Sequence, residues 1–216
     1  MVDNDYYTDI QYSEHLPENA KQDLNLLFFK SFLKDSQKIL DIGCSKGRFI
    51  EIDPQRIEGI DMDKKALEIC KKKGFRVKYC DISKGLPFKN ESFDAVFFSQ
   101  VIEHLEDPLF VMKEIHRILK KGGRLVVVTI DYKITHHKGE NGFWSDYTHK
   151  TPFIKESLDR IAYNAGFDKH RVYHFPGKGF RNLMRKGKLS KEKWINIQKS
   201  SLVWRGQDLI LEAIKD

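Results

Sequence analysis

The sequence predicts one α/β domain built on a mainly parallel β-sheet with helices on both faces. The chain has 216 residues, a suitable length for a single domain of this kind. Over residues 38–130, short apolar runs alternate with stretches that have helical spacing. Strands that alternate with helices form parallel sheets, because each helix carries the chain back across the sheet.

The first elements are predicted to be a helix, a strand and a second, short helix. Residues 17–34 have apolar side chains at helical spacing, with a proline in the first turn. The apolar run 38–42 is typical of a buried strand, which Gly43 ends. A short helix after Gly47 has to end before Pro54.

Four further strands and two helices complete the alternating region. The strands are predicted over 57–60, 77–80, 93–98 and 124–130. The first of the two helices follows Asp63, a capping residue, and ends at three lysines and Gly74. The second covers 108–120 and stops at the glycine pair 122–123.

The pattern changes after residue 130. A loop rich in histidine and aromatic residues is predicted over 131–150, a helix over 151–165, and two last strands over 171–175 and 208–214. The prediction is therefore one domain over 1–216. Its segments are an N-terminal helical part (1–37), an alternating core (38–130), a loop, helix and basic segment (131–207) and a last strand (208–216).

Composition indicates a soluble globular protein, with 40% apolar and 32% charged residues. No apolar run approaches the ~18–20 residues that span a bilayer, and the acidic, polar N-terminus does not resemble a secretory signal. The three cysteines form no C-x-x-C pair, which argues against a disulfide framework or a zinc knuckle. A cytoplasmic location is expected.

The positive charge is concentrated in one part of the chain. Residues 169–205 contain eleven lysines and arginines and one acid, which gives this stretch a charge of +10. The net charge of the chain is +7, so the remaining residues together carry −3. Within it, residues 178–193 are basic and amphipathic. Such a segment contacts an anionic membrane surface or holds a phosphorylated substrate, and a solvated face is the alternative.

A glycine-bearing turn, Asp41–Gly47 (DIGCSKG), follows the first predicted strand. Glycines there let a ligand approach the backbone closely, and an ordinary tight turn is the alternative. The dinucleotide fingerprint G-x-G-x-x-G is not met, because Ser45 and Arg48 stand at its second and third glycine positions. No G-x-x-x-x-G-K-[ST] stretch is present either. NAD, FAD and P-loop nucleotides are therefore disfavoured.

Carboxylates follow the second and third predicted strands. Asp61 comes eighteen residues after Gly43, and Asp81 follows the third strand. Together with Asp41 they place acids at the edge of the sheet where open α/β folds bind ligands. Asp61 can accept hydrogen bonds from a ribose diol, and Asp81 from an adenine amino group. A helix cap and a turn residue are the structural alternatives.

Seven segments along the chain carry the strongest functional signal. They are Leu40–Phe49 (LDIGCSKGRF), Gly59–Asp61 (GID), Asp81–Ile82, Leu86–Phe88 (LPF), Ser92–Val96 (SFDAV), Ser99–Pro108 (SQVIEHLEDP) and Leu119–Leu125 (LKKGGRL). In this order they resemble the signatures of class I S-adenosylmethionine-dependent methyltransferases, in particular the small-molecule subgroup with quinone-biosynthesis and glycan methyltransferases. The resemblance covers 38–130. It implies a Rossmann-like sheet of seven mostly parallel strands whose last strand is antiparallel.

The resemblance also implies S-adenosylmethionine as the cofactor and assigns residues to it. Asp41, Gly43, Cys44, Ser45 and Gly47 hold its amino-acid part, Asp61 takes the ribose, Met62 packs beside the adenine, Asp81 and Ile82 meet the adenine amino edge, and Ser99 closes the methionine end. The family usually has glycine where this chain has Ser45. A cationic sulfonium fits a site that contains several carboxylates.

The loop after the alternating core is expected to meet the methyl acceptor. Its D-Y-T-H stretch resembles an Asp-x-Thr-His segment of glycan-modifying members of the superfamily. His149 is the candidate general base, and Asp146 is the candidate for orienting it, with helix capping as the alternative. His136 and His137 offer a competing base, but no spacing supports a closed metal site, and no metal is predicted. His104 is interpreted as a packing or capping residue.

The leading hypothesis is methyl transfer to an oxygen of a small-molecule or glycan-type acceptor that could be anionic. An RNA methyltransferase that uses the basic segment is the second hypothesis. The sequence after the fourth strand, Ser99–Ile102, lacks the N/D-P-P-Y-type tetrad of enzymes that methylate base nitrogens, so nucleic acid is disfavoured. A non-catalytic cofactor-binding partner protein is the third hypothesis.

Overall fold

The computed structural model describes residues 33, 35–136, 142–176, 190 and 205–216. The predicted N-terminal helix and the basic segment 178–193 lie almost entirely outside these residues. The strands are β1 (Ile39–Ile42), β2 (Ile57–Asp61), β3 (Val77–Tyr79), β4 (Phe93–Ser99), β5 (Leu119–Ile130), β6 (Lys169–Pro176) and β7 (Arg205–Ile214). The helices are α1 (Lys64–Lys72), α2 (Pro108–Ile118), α3 (Tyr132–Thr135) and α4 (Lys155–Asn164).

The seven strands form one sheet in the order β3-β2-β1-β4-β5-β7-β6. Neighbouring strands from β3 to β5 are parallel, whereas β7 pairs antiparallel with both β5 and β6. The Rossmann-like sheet with an antiparallel last strand is therefore confirmed. Ile42 lies level with Ile60 on β2 and Phe98 on β4, so the ends of these central strands meet at one edge.

Alternate side chains of the central strands enter two separate cores. Leu40, Val96 and Leu125 pack on one face with α2 and α4, and Ile39 and Ala95 pack on the other face with the α1 side of the sheet. Both faces are covered, so the strands carry apolar residues at consecutive positions, as buried parallel strands do. None of the helices in the described part of the chain could cross a membrane.

Helix α2 ends two residues earlier than the sequence predicts, and β5 begins five residues earlier. Leu119 is already extended and fully buried, and it pairs with Phe93 of β4. The amides of Glu91 and Ser92 donate to the carbonyls of the last turn of α2, which satisfies that helix end. Gly122 adopts φ +73 inside the irregular start of the strand and does not end the helix.

Helix α4 begins at Lys155 and not at Thr151. Proline disfavours helical backbone at the residue before it, and Pro152 follows Thr151. Phe153 instead forms a bridge with Asp131, and the Ser157 hydroxyl accepts from the amide of Ile154. The predicted loop 131–150 contains α3 and a 3₁₀ turn at Phe143–Ser145. The short helix after Gly47 is a 3₁₀ turn at Ile50–Ile52.

Candidate active site

The glycine-bearing turn after β1 is tied to the end of β2. The amides of Gly43 and Cys44 both donate to the carbonyl of Ile60, at 2.9 and 3.1 Å. The amide of Ser45 donates to Oδ2 of Asp61 at 2.7 Å. These amides hold the turn in place and point into the protein. The turn therefore offers a shaped surface to a ligand, and these three amides do not cradle an anion as they would in a phosphate-binding loop.

Left-handed backbone and close packing fix the shape of this turn. Gly43 and Gly47 have φ of +74 and +77°, and Ser45 accommodates +43° where the family usually has glycine. A Cβ on Gly43 would lie 2.3 Å from Cγ2 of Val101. Val101 belongs to the segment after β4. The turn therefore packs directly against that segment, which continues towards the candidate acceptor side.

Two partly or fully buried acidic side chains, Asp41 and Asp61, lie close together in the candidate cofactor site. Asp41 is 4% exposed, and burial together with the nearby Asp61 holds its pKa well above the usual range. Burial also raises the pKa of Asp61, although the amides of Asp63 and Ser45 donate to its carboxylate and lower the pKa in part. Each occupied Asp61 oxygen retains another lone pair for a ribose hydroxyl. A cationic ligand would relieve the repulsion between the two carboxyl groups.

Asp41→Asn is expected to flatten the pH dependence of stability in the cofactor-free protein. Because the folded-state pKa of Asp41 is raised, its contribution to stability is complete below the ordinary pKa of 3.8 and is lost as pH rises through the folded value. Denaturant unfolding of both proteins from acidic to alkaline pH measures this. The variant should lose less stability as pH rises, and it should bind the cationic cofactor more weakly. Equal pH slopes would contradict the assignment.

The remaining residues assigned to the cofactor lie along the same edge. Cys44 is buried, and a hydrogen bond with Cys70 together with burial raises the pKa of its thiol. Met62 is 46% exposed after β2, and Ser99 is the last residue of β4. Asp81 caps a 3₁₀ turn that begins at Ile82, which agrees with the alternative interpretation of Asp81 as a turn residue. All these cofactor roles stay predictions.

The side chain of Asp81 is engaged within its own turn. Oδ1 accepts from the amide and hydroxyl of Ser83, and Oδ2 pairs with Lys84 at 3.0 Å. The Ser83 hydroxyl and Lys84 lower the pKa of this carboxyl, so it is ionised and can still accept at its remaining lone pairs.

The predicted acceptor loop is fixed onto the segment after β4. The amides of Lys150 and Thr151 donate to the carbonyl of Glu103, at 2.8 and 3.0 Å, and the Thr151 hydroxyl donates to the carbonyl of Leu105. Because β4 ends at Ser99, these bonds place residues 148–151 beside the carboxyl end of the sheet. The sequence prediction that this loop reaches the edge with the cofactor residues agrees with this placement.

His149 lies inside the loop and is oriented by a carbonyl group. Its Nδ1 is 2.6 Å from the carbonyl oxygen of Phe143, and its side chain is only 3% exposed. Oδ2 of Asp146 lies 3.8 Å from Nε2, within ion-pair distance but beyond hydrogen-bond distance, so the role of Asp146 in orienting His149 stays a prediction. Neither residue caps α4, which begins at Lys155.

Asp146 acts on Thr148 and, through it, on His104. Its Oδ1 accepts from the Thr148 hydroxyl at 2.5 Å and from the Thr148 amide. These two bonds outweigh the effect of burial and lower the pKa of Asp146. The Thr148 oxygen is also 2.9 Å from Nδ1 of His104. Since the Thr148 proton goes to Asp146, Nδ1 of His104 is the donor in that bond.

Sequence reasoning missed Glu103, which is fully buried beside these histidines. Its Oε2 accepts from the Thr129 hydroxyl at 3.0 Å, whereas its buried Oε1 has no hydrogen-bond partner among the described residues. Burial raises the pKa of Glu103 to about 8. The sequence shows a glutamate just after a strand end, but it shows neither the burial of this residue nor its partners, which are distant along the chain.

Three other histidines complete the acceptor side. His136 is exposed, with Nδ1 3.0 Å from the carbonyl oxygen of Tyr132, and His137 lies outside the described residues. His174 on β6 was not singled out by sequence reasoning. Its Nε2 is 2.7 Å from Oδ2 of Asp131, and both side chains are buried. Asp131 also caps α3, so this pair joins the start of the loop to β6.

Comparison with known proteins agrees with this geometry. Residues 40–127 match a family described as a methyltransferase domain. A probable tRNA methyltransferase 9B of Mus musculus is 31% identical over 129 residues, 56% of this chain and 26% of that protein. A ubiquinone biosynthesis O-methyltransferase of Pelagibacter ubique is 29% identical over 124 residues, 54% of this chain and 51% of that protein.

Solved structures share the fold over most of the chain. A crystal structure of an S-adenosylmethionine-dependent methyltransferase from Thermotoga maritima has a TM-score of 0.65 and 26% identity, and the match covers 88% of this chain and 87% of that one. By contrast, the matched segments span between 21% and 51% of the length of the curated relatives. Residues 40–127 thus match a methyltransferase domain, and the sheet that contains them has the fold of class I S-adenosylmethionine-dependent methyltransferases.

Proposed function

We propose that this protein transfers a methyl group from S-adenosylmethionine to an oxygen of a small-molecule or glycan-type acceptor. The observation that carries the proposal is the group of polar side chains on the acceptor side, Glu103, His104 and His149, whose ligand atoms lie within 4.8 Å of one another. They can receive a proton or hold a hydroxyl group. The curated relative from Pelagibacter ubique, an O-methyltransferase by its name, supports the same choice.

Exposed aromatic rings on the acceptor loop support an acceptor that contains a ring. Trp144 is 56% exposed and Tyr147 is 65% exposed. Trp144 packs edge-on against Phe143, whose carbonyl orients His149. Large exposed aromatic side chains supply apolar area for stacking, with a polar group for orientation. A sugar or quinone ring stacked there would present its hydroxyl near the polar side chains.

The chemistry requires the acceptor oxygen in line with the bond from sulfur to the methyl group. The protein contributes mainly alignment, which can be worth about 7–11 kcal/mol. His149 stays the predicted base, with the lone pair of Nε2 as the acceptor of the proton. Because its side chain is 3% exposed, an acceptor hydroxyl has to enter the loop to reach this nitrogen.

RNA methylation is the second candidate. The murine relative is a probable tRNA methyltransferase by its name, and it matches 56% of this chain. The basic segment would supply phosphate contacts. Almost all of that segment lies outside the described residues. Its contact with nucleic acid, with an anionic membrane or with an anionic acceptor therefore stays a prediction, as does the cytoplasmic location.

A methyl-transfer screen tests the proposal. The full chain would be incubated with cofactor labelled at the methyl group and with sugars, quinones, lipid-linked glycans or RNA. Label on a hydroxyl-bearing small molecule or glycan supports it. Transfer to RNA alone would overturn it in favour of the second candidate. Intact cofactor binding with no transfer to any class would favour a non-catalytic partner protein.

Asp61→Ala is the expected cofactor-deficient control for that screen. Loss of an ionised acceptor typically costs about 1.5–3 kcal/mol, or about 10–150-fold in affinity. Because Asp61 also accepts from the Ser45 and Asp63 amides, the turn should lose stability as well. Calorimetry with S-adenosylhomocysteine measures the affinity, and a thermal melt measures the stability. Unchanged affinity would remove Asp61 from the site.

A further inference from the structure

The segment after β4 and the acceptor loop bring together a carboxylate and two imidazoles. Glu103 and His104 belong to the 3₁₀ turn Ile102–His104, and His149 comes from the loop that is hydrogen-bonded onto that turn. Their candidate ligand atoms lie within 4.8 Å of one another. Glu103 and His149 are buried, and His104 is half-buried.

The hydrogen bonds around the two histidines fix which nitrogen holds the lone pair. A carbonyl only accepts, so Nδ1 of His149 donates to Phe143 at 2.6 Å. Nδ1 of His104 donates to the Thr148 oxygen, whose own proton goes to Asp146. With Nδ1 as the donor in both rings, the lone pair of each imidazole lies on Nε2. Histidines that bind metals are oriented in this way, with the other nitrogen donating to a carbonyl or to a group held by a carboxylate.

Glu103 supplies an independent observation that points to a ligand. Its Oε2 is held by Thr129, but Oε1 is buried and has no hydrogen-bond partner among the described residues. A buried oxygen without a partner is costly, and such groups in a folded protein commonly mark an ion or water that completes the site.

We infer that Glu103, His104 and His149 bind one divalent transition-metal ion with an open coordination position. Two imidazoles and one carboxylate suit zinc, cobalt, iron or manganese, and they disfavour magnesium and calcium, which prefer oxygen ligands. Three protein ligands leave a position open, as in catalytic sites and unlike closed structural sites. Ligand atoms at about 2.0–2.1 Å from an ion lie closer together than 4.8 Å, so small side-chain rotations complete the site.

Such an ion would connect buried ligands to an acceptor. His149 is almost inaccessible, whereas an ion on its Nε2 could take a hydroxyl of the acceptor at the open position and lower its pKa. The ion occupies the lone pair that a base would use, so His149 then acts as a ligand. This catalytic use rests on the proposed function, but metal binding itself does not.

The test measures metal binding to full-length, untagged protein without cofactor or acceptor. After chelator treatment, cobalt(II) is titrated while its visible absorption is recorded, because that spectrum reports imidazole and carboxylate coordination directly. Saturation at one ion per chain, displacement by zinc and no displacement by a large excess of magnesium are expected. Absence of saturable binding would overturn the inference and leave the methyltransferase proposal intact.

Matched variants locate the ion. Glu103→Gln keeps the volume and the acceptor oxygen for Thr129, and His149→Ala removes one imidazole. Each should weaken cobalt binding about 100-fold or more and change the spectrum. His136→Ala removes an exposed imidazole on the same side of the protein. This variant should leave the cobalt affinity and the absorption spectrum unchanged. Thermal melts confirm folding. Normal cobalt affinity in folded Glu103→Gln and His149→Ala proteins would overturn the inference, as would a loss confined to His136→Ala.

Discussion

Replacing His149 with alanine is expected to lower kcat for methyl transfer by about 10²–10⁴-fold, the range typical of a lost general base. Its Nε2 carries the lone pair beside Glu103 and His104, and its other nitrogen is held by Phe143. The affinity for S-adenosylmethionine should stay unchanged, because the residues assigned to the cofactor belong to other segments of the edge. Steady-state kinetics and calorimetry measure the two effects separately.

His136→Ala is the matched control for this prediction. It removes an exposed imidazole of the same part of the chain, which bonds the carbonyl of Tyr132 within its own short helix. Turnover of this variant should remain close to that of the unmodified protein. If His149→Ala kept near-full turnover over about pH 6–9, His149 would have no role in catalysis.

Metal dependence distinguishes the two roles of His149. If it acts as a base, chelator treatment leaves turnover unchanged. If it acts as a ligand, chelation abolishes turnover, and added zinc or cobalt restores it in the unmodified protein but not in His149→Ala. The same assay therefore separates the base predicted from the sequence from the ligand inferred from the structure.

Local signals in the sequence predicted most of the fold. The buried run before Gly43 forms β1, and Asp63 caps α1 through the amides of Lys65 and Ala66 as predicted. Such features depend on neighbours a few residues away, so their spacing is visible in one sequence. Element ends were less predictable. Leu119 leaves its helix early because Phe93 pairs with it, and that partner is distant along the chain.

The candidate acceptor site depends on contacts that no local pattern records. Glu103 hydrogen-bonds Thr129, 26 residues away, and its carbonyl accepts from the amide of Lys150 in the loop. Likewise, the partner of Asp146 is Thr148, whose oxygen reaches His104, 44 residues away. The sequence placed acids and histidines at the correct edge, but which of them meet is decided by how the loop folds onto the segment after β4.

Gly43→Ala is expected to destabilise the protein by about 2–5 kcal/mol and to weaken cofactor binding. Left-handed backbone costs a residue with a Cβ about 1–2 kcal/mol, and overpacking adds about 1–3 kcal/mol. Both apply here, because Gly43 has φ +74° and its Cβ would lie 2.3 Å from Cγ2 of Val101. Gly74→Ala is the matched control, since Gly74 has φ +76° and nothing within 4 Å of the added Cβ. Gly74→Ala should lower the free energy of unfolding only by the cost of left-handed backbone, about 1–2 kcal/mol.

The double variant Gly43→Ala/Val101→Ala separates the steric part from the backbone part. Removing the Val101 methyl groups should relieve the overpacking, so the double variant should be more stable than the sum of the single variants predicts, by about 1–3 kcal/mol. Chemical denaturation of the unmodified protein, the two single variants and the double variant measures this coupling. If Gly43→Ala cost no more than Gly74→Ala, and the coupling were zero, Val101 would rotate away freely. The turn that is predicted to hold the cofactor would then be mechanically independent of the segment that continues to Glu103 and His104.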